Sequence, residues 1–126
     1  MPEQRWITLS AAAVAVVFGL ATLASGGMAL FGGADMGKVV PFVLWFNFLA
    51  GFAYVAAGAG LALRRAWAVS LAMAIFAATA LVFAAFGIHV WNGGPYEMRT
   101  VAAMTIRTLV WAAIAHTAYW HLRTRP

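Results

Sequence analysis

The chain has 126 residues, of which 65% are hydrophobic and only 9% are charged. A soluble domain carries about 25% charged residues, so too few polar side chains are present here to cover a surface that faces water. The composition excludes a soluble globular protein, and lipid must be the solvent for most of the chain. Because there is no cysteine, disulfides, thiolate metal sites and cysteine nucleophiles are excluded as well.

Long apolar segments separated by short polar ones organise the whole chain. A membrane-spanning helix needs roughly 20 apolar residues, so four spans and three short loops use nearly the full length. The sequence predicts an all-α polytopic membrane protein, an antiparallel four-transmembrane-helix bundle connected up-down-up-down. We expect a single integral membrane domain, 1–126, with spans at about 6–30, 39–63, 66–90 and 96–120.

The first span contains no charged residue between Trp6 and Leu30. Its apolar run is too long for a signal peptide, and we expect it to be a retained helix. Small and hydroxyl side chains recur on one face at helical spacing: Thr8, Ala12, Ala15, Gly19, Thr22 and Gly26. Such residues let two helix backbones approach closely in lipid, so this face is predicted to pack on a partner helix, although any alanine-rich helix offers a similar stripe.

The second and third spans are separated only by Arg64 and Arg65, so they must form an antiparallel hairpin. The third and fourth spans are joined by residues 91–95, which contain the turn signal Asn-Gly-Gly-Pro. One helical face of span 2 is expected to turn toward protein, because it carries its polar and smallest residues: Asn47, Gly51, Tyr54 and Gly58.

The basic residues predict the orientation in the membrane. Five of the eight lie at the end that carries both termini and the turn between spans 2 and 3: Arg5, Arg64, Arg65, Arg123 and Arg125. Lys38 and Arg99 lie at the other end, near Asp35 and Glu97. Because cytoplasmic loops carry the Lys/Arg excess, we expect both termini in the cytoplasm and the chain in a bacterial-type inner membrane. The formal charge of +5 is explained in this way and does not indicate a nucleic-acid partner.

Arg107 is the sharpest functional signal, because it lies near the middle of the predicted fourth span. An arginine at that depth costs several kcal/mol unless it faces the bundle, finds partners or reaches water. Asn47 and Tyr54 on span 2 are its candidate partners, because they are predicted to lie at a similar depth in the membrane. One hypothesis is an anion-binding or proton-relay group in a cavity open to the outside. The other is a structural arginine that ties helices together or extends toward the outer surface.

A second candidate group lies around the loop between spans 3 and 4. His89 ends span 3, and Glu97 and Arg99 are predicted in the first turn of span 4, where a glutamate favours the helix dipole. Turn geometry can bring His89 and Glu97 together as a proton or metal site. Two ligand types without a repeated spacing are only weak metal candidates, and no cofactor is identified by the sequence.

Known families of four-span membrane proteins offer limited likenesses. Small multidrug transporters carry an intramembrane glutamate in span 1, which this chain lacks. Asn47 together with Phe83 and Phe86 resembles the asparagine and phenylalanine pair of fluoride channels. However, span 3 lacks the Gly- and Thr-rich break of that family, and Arg107 has no place in its pattern. The general layout is also similar to DoxX-type membrane proteins, but layout indicates no activity.

Three functional hypotheses follow. The first is a non-enzymatic accessory subunit of a membrane assembly, whose partners are other membrane proteins or further copies of this chain. It is favoured because the four spans leave almost no mass outside the membrane and the sequence has no hydrolase or phosphate-loop motif. The alternative is a small oligomeric transporter or channel with an outward-facing polar, anion-binding pocket. A second alternative, a metal- or quinone-handling redox protein, requires His89 and Glu97 within hydrogen-bond reach. The pocket hypothesis uses six residues: Asn47, Tyr54, His89, Glu97, Arg99 and Arg107.

Overall fold

The computed structural model describes residues 2–32 and 40–120, with side chains from residue 5 onward. Throughout these residues the regular structure is helical, and each helix is long and apolar enough to cross a membrane. The helices are α1 Pro2–Leu30, α2 Pro41–Ala62, α3 Ala66–Trp91 and α4 Met98–Ala118. The predicted all-α bundle of four transmembrane helices is therefore confirmed, and the chain is a multi-pass membrane protein.

The bundle has two ends, which we name by their connections. The turn end carries the α2–α3 connection and the start of α1, and the loop end carries the α3–α4 connection. Part of the predicted first loop and the C-terminal tail lie outside the described residues, and with them several charges used in the orientation prediction: Asp35, Lys38, Arg123 and Arg125.

The α2–α3 connection is a tight Schellman turn. The Arg65 N–H donates to the Gly60 carbonyl at 2.8 Å, and the Arg64 N–H donates to the Leu61 carbonyl at 3.0 Å. The motif needs a left-handed residue after the helix, and here that residue is Arg64, with φ of 57°. Outside glycine this conformation costs about 1–2 kcal/mol. The end of α3 has the same motif with Gly93, at φ of 83°, in the left-handed position.

The start of α4 differs from the prediction by two residues. Glu97 has extended backbone angles, φ −111° and ψ 142°, and the helix begins at Met98. Glu97 therefore precedes the first turn of α4 instead of lying in it, and Arg99 is the second helical residue. The two residues before Glu97 are fixed by contacts with α3: the Pro95 carbonyl is held by His89, and the Tyr96 ring packs edge-on against Phe86.

α1 and α2 make the most extensive helix–helix contact. Their backbones approach closely: a Cβ atom added at Gly19 would lie 2.9 Å from the Gly51 carbonyl oxygen, and one added at Gly58 would lie 2.9 Å from the Ala12 carbonyl oxygen. The prediction that the small-residue face of α1 packs on a partner helix is confirmed, because all six of its residues are buried: Thr8, Ala12, Ala15, Gly19, Thr22 and Gly26.

The apolar core is divided between the two ends. Toward the turn end, all four helices contribute to one cluster that includes Tyr54 and Trp111, whose ring centroids are 4.8 Å apart. Toward the loop end, a smaller cluster formed around Phe86 and Met104 receives no buried residue from α1. α1 and α4 contact each other least among the helices that are neighbours around the bundle. The bundle is therefore open along the seam between α1 and α4.

Candidate functional site

Arg107 lies where this open seam crosses the middle of the membrane. It is the tenth residue of α4, about 14 Å from the helix start at a rise of about 1.5 Å per residue. Its Nη1 donates a hydrogen bond to the Thr22 hydroxyl of α1 at 2.8 Å. A longer contact, 3.4 Å, joins the same nitrogen to the Tyr54 hydroxyl of α2. One guanidinium thus links three helices at mid-depth.

Two aromatic rings complete the surroundings of the guanidinium. Its carbon lies 5.2 Å from the ring centroid of Phe18 and 5.9 Å from that of Tyr54, within the range of a cation–π attraction worth about 0.5–2 kcal/mol. The two rings hold each other edge-to-face at 5.9 Å. Within the described part of the chain, the groups around Arg107 are therefore hydroxyls and rings, and none carries a negative charge.

The hydrogen-bonding capacity of Arg107 is not fully used. Its Nε is buried without an acceptor, whereas a guanidinium has five N–H donors. The positive charge is thus surrounded by neutral dipoles and is not neutralised by them. Such a group favours any carboxylate or anion that reaches it in a medium of low dielectric constant.

A groove gives access to Arg107 from the lipid-facing side of the bundle. It has a volume of ≈ 620 Å³, and most of its wall comes from the outer surface of α1. A second groove of ≈ 270 Å³ lies between α1 and α4 toward the turn end, and Val14 lines both. We call the two together the α1–α4 furrow. The residues that line it are Ile7, Ser10, Ala11, Ala13, Val14, Val17, Phe18, Ala21, Thr22 and Ser25 on α1, with Arg107, Val110, Ala113, Ile114 and Thr117 on α4.

Of the six residues predicted to form a polar pocket, the structure brings Arg107 and Tyr54 together. Asn47 is on α2 and partly buried, and its Oδ1 has no hydrogen-bond donor among the described residues. Glu97 and Arg99 lie at the start of α4, at the loop end. Arg107 alone among the six lines the furrow.

His89 stabilises the α3–α4 loop. Its Nε2–H donates to the Pro95 carbonyl at 2.9 Å; a carbonyl only accepts, so this nitrogen carries the proton. The imidazole stacks near Phe86 and lies so close to Gly94 that a Cβ there would overlap the ring. Within the residues that the structure describes, no group of three or more His, Cys, Asp or Glu side chains is arranged to hold a metal ion.

Comparisons with protein-family models, curated proteins and solved structures find no match for this chain.

Two residues around Arg107, Thr22 and Phe18, were not predicted as site residues. Thr22 belongs to the small-residue face of α1, so the sequence already indicated that it would be buried against a neighbour. A long side chain in a helix leans toward the helix N-terminus, which for α4 is the loop end. That direction favours partners in the loop-end half of α1, where Thr22 lies.

The groups around Arg107 are able to bind an anion. A fixed positive charge with hydroxyl and aromatic neighbours can accept a carboxylate or another anion. Among the described residues that contact it, none is a carboxylate, imidazole or thiol that could exchange protons or attack a substrate. The arrangement fits recognition of a negatively charged group.

Proposed function

We propose that this protein is a non-enzymatic accessory subunit of a membrane assembly, which binds another integral membrane protein along the α1–α4 furrow. The observation that carries the proposal is a charge at mid-membrane depth on an open seam of the bundle. An arginine at the centre of a helix raises the cost of insertion by about 2.5–3.5 kcal/mol. A partner that covers the seam and supplies an acceptor for the charge offsets this cost.

Gentle extraction from the native membrane followed by mass spectrometry tests the proposal. We expect a different membrane protein to co-purify with this one in fixed stoichiometry. A monomer or homo-oligomer without any such chain, recovered in a detergent that preserves other membrane complexes, contradicts it.

A second candidate function is a small transporter or channel that binds an anion at Arg107. It is supported by the position of Arg107, whose contacts are all with neutral groups, in the wall of a groove of ≈ 620 Å³, which has room for a small molecule. It ranks second for two reasons. The groove opens toward lipid along α1, and of the six polar residues predicted to form an outward-facing pocket, Arg107 alone lines it. A small anion bound stoichiometrically to the purified protein, and lost in Arg107→Gln, would favour this candidate.

We further propose that the turn end faces the cytoplasm of a bacterial-type inner membrane. Arg5, Arg64 and Arg65 are exposed at that end, and cytoplasmic segments carry the Lys/Arg excess. The chain contains no cysteine, so single-cysteine variants report topology without background labelling. With a membrane-impermeant maleimide, Asn92→Cys should be labelled in cells with a permeabilised outer membrane, and Leu63→Cys only after the inner membrane is opened. The reverse pattern contradicts the orientation.

A further inference from the structure

The furrow has the length of a membrane-spanning element. It runs along α1 from Ser25 to Ile7, about 27 Å at a rise of about 1.5 Å per residue. The hydrocarbon core of a bilayer is about 30 Å thick. An occupant that fills the furrow therefore crosses the membrane.

The depth of Arg107 indicates whether the occupant of the furrow is a helix or a lipid. Arg107 lies near the middle of α4, and the furrow continues with mostly apolar walls beyond it toward the turn end. A phospholipid occupies one leaflet and carries its charge at the interface, so its phosphate would lie far from Arg107 when its chains fill the furrow. A transmembrane helix can instead present an anionic side chain at its midpoint.

The walls of the furrow also suit a helix. In lipid, helices gain nothing from the hydrophobic effect when they associate, and close packing drives their association instead. Small residues at a helix interface allow that packing, because they let the two backbones approach. The furrow exposes such residues on both sides: Ser10, Ala13, Ala21 and Ser25 on α1 and Ala113 on α4.

A second copy of this chain does not fit the furrow. The three acidic residues of the sequence are Glu3, Asp35 and Glu97, and the central turns of the four described helices contain none of them. A two-fold contact through the furrow would also place Arg107 at the same depth as its symmetry mate, and like charges repel. The complementary carboxylate must come from a different chain.

We infer that the partner element is a transmembrane helix of another protein, with an Asp or Glu near its midpoint, and that this carboxylate pairs with Arg107 in the α1–α4 furrow. The inference rests on the proposed function and adds the chemistry of the partner. Arginine pairs with carboxylates through two parallel N–H···O bonds where geometry allows, and intramembrane charges are commonly paired with one another.

Crosslinking from matched positions locates the partner. Val17 lines the furrow and is 66% exposed, while Leu81 on α3 is 72% exposed and does not line it. Val17→Cys and Leu81→Cys each carry the only cysteine of the chain and are loaded in native membranes with the same thiol-linked photocrosslinker. We expect the chain that co-purifies with the wild-type protein to be crosslinked from position 17 and not from position 81. Its crosslinked peptide should be a transmembrane segment with a central Asp or Glu.

Exchanging the charges tests the pairing itself. Arg107→Glu should reduce recovery of the partner by about tenfold or more, and an Arg at the partner's central carboxylate should restore it. Arg107→Lys, which keeps the charge, should retain most of the recovery. If Arg107→Glu does not accumulate in the membrane, Arg107→Gln replaces it, with the same expected loss.

The outcomes distinguish the inference from the proposed function. If no different chain co-purifies with the wild-type protein, the proposed function fails, and the inference fails with it. If a partner co-purifies but crosslinks from position 81, lacks a central acidic residue, or is recovered equally with Arg107→Gln, the inference is overturned and the accessory function stands. A lipid or small-molecule adduct alone at position 17 also overturns the inference.

Discussion

Gly19 is the position where an added methyl group should test the packing of α1 on α2 most directly. In Gly19→Ala, the new Cβ would lie 2.7 Å from Val55 Cγ2, 2.9 Å from the Gly51 carbonyl oxygen and 3.0 Å from Tyr54 Cβ. Ordinary contact begins at 3.4 Å, so the carbonyl alone requires a shift of 0.5 Å. Because that oxygen belongs to a helix backbone, the helices must separate instead of one side chain rotating.

The expected magnitude follows from this separation. A radial gap of about 0.5–1 Å forfeits a quarter to a half of the dispersion energy at each affected contact, and overpacking a well-packed core costs about 1–3 kcal/mol. The same substitution gains about 0.8–1.0 kcal/mol of helix propensity. Gly87→Ala provides the control, because Gly87 is an exposed helical glycine, and outside its own helix backbone nothing lies within 4 Å of an added Cβ. The propensity gain is common to both variants, so their difference isolates the packing cost.

Equilibrium unfolding in mixed micelles, followed by circular dichroism, measures the difference. We expect Gly19→Ala to be less stable than Gly87→Ala by about 1–3 kcal/mol, roughly five-fold to more than 100-fold in the unfolding equilibrium constant. Equal stability of the two variants would show that α1 and α2 do not approach as closely at Gly19 as described, and the packing role of the small-residue face would have to be abandoned.

Three further substitutions test other contacts. Thr22→Val removes the acceptor of the Arg107 hydrogen bond while keeping the shape of the side chain, and should lower the free energy of unfolding in micelles by about 0.6–2 kcal/mol; Thr22→Ser should retain most of it, and identical values for the two would contradict the contact. Gly94→Ala places a Cβ inside the His89 ring, and should lower the melting temperature through a cost of about 1–3 kcal/mol; an unchanged melting temperature would show that the loop does not pack on the imidazole. Arg64→Gly relieves the left-handed arginine in the α2–α3 turn, and should raise the free energy of unfolding by about 1 kcal/mol; a decrease would mean that the side chain contributes more than its backbone costs.

The helices could be predicted because lipid imposes strict requirements on length and polarity. A span must be about 20 residues of mostly apolar side chains, and Arg64, Arg65 and the turn around Gly93 interrupt the apolar runs clearly. The small-residue face of α1 was also visible, since it depends only on residue size and helical spacing.

The surroundings of Arg107 were predictable only in part. Depth along the helices selected Asn47 and Tyr54 on α2, because α2 and α4 both begin at the loop end, and of these two residues Tyr54 contacts Arg107. It could not select Thr22 or Phe18, because spacing within a helix does not reveal which other helix lies beside it or how far apart the two are. The open α1–α4 seam is a property of helix arrangement, and no single segment encodes it. The start of α4 was placed two residues too early, and Glu97 therefore inside the helix, because the contacts of Pro95 and Tyr96 just before it are made by side chains of α3.

The hydroxyls that surround Arg107 belong to helices that are synthesised before its own. The hydroxyls that accept its hydrogen bond and longer contact belong to α1 and α2, which leave the ribosome before α4 does. When α4 arrives, Thr22 and Tyr54 can already be in place on the closely packed helices α1 and α2, and their hydroxyls can receive the Arg107 side chain. Were α4 synthesised first, its arginine would face hydrocarbon with no protein group to solvate it. The helix that is most difficult to insert is therefore synthesised last, after the helices that solvate its arginine.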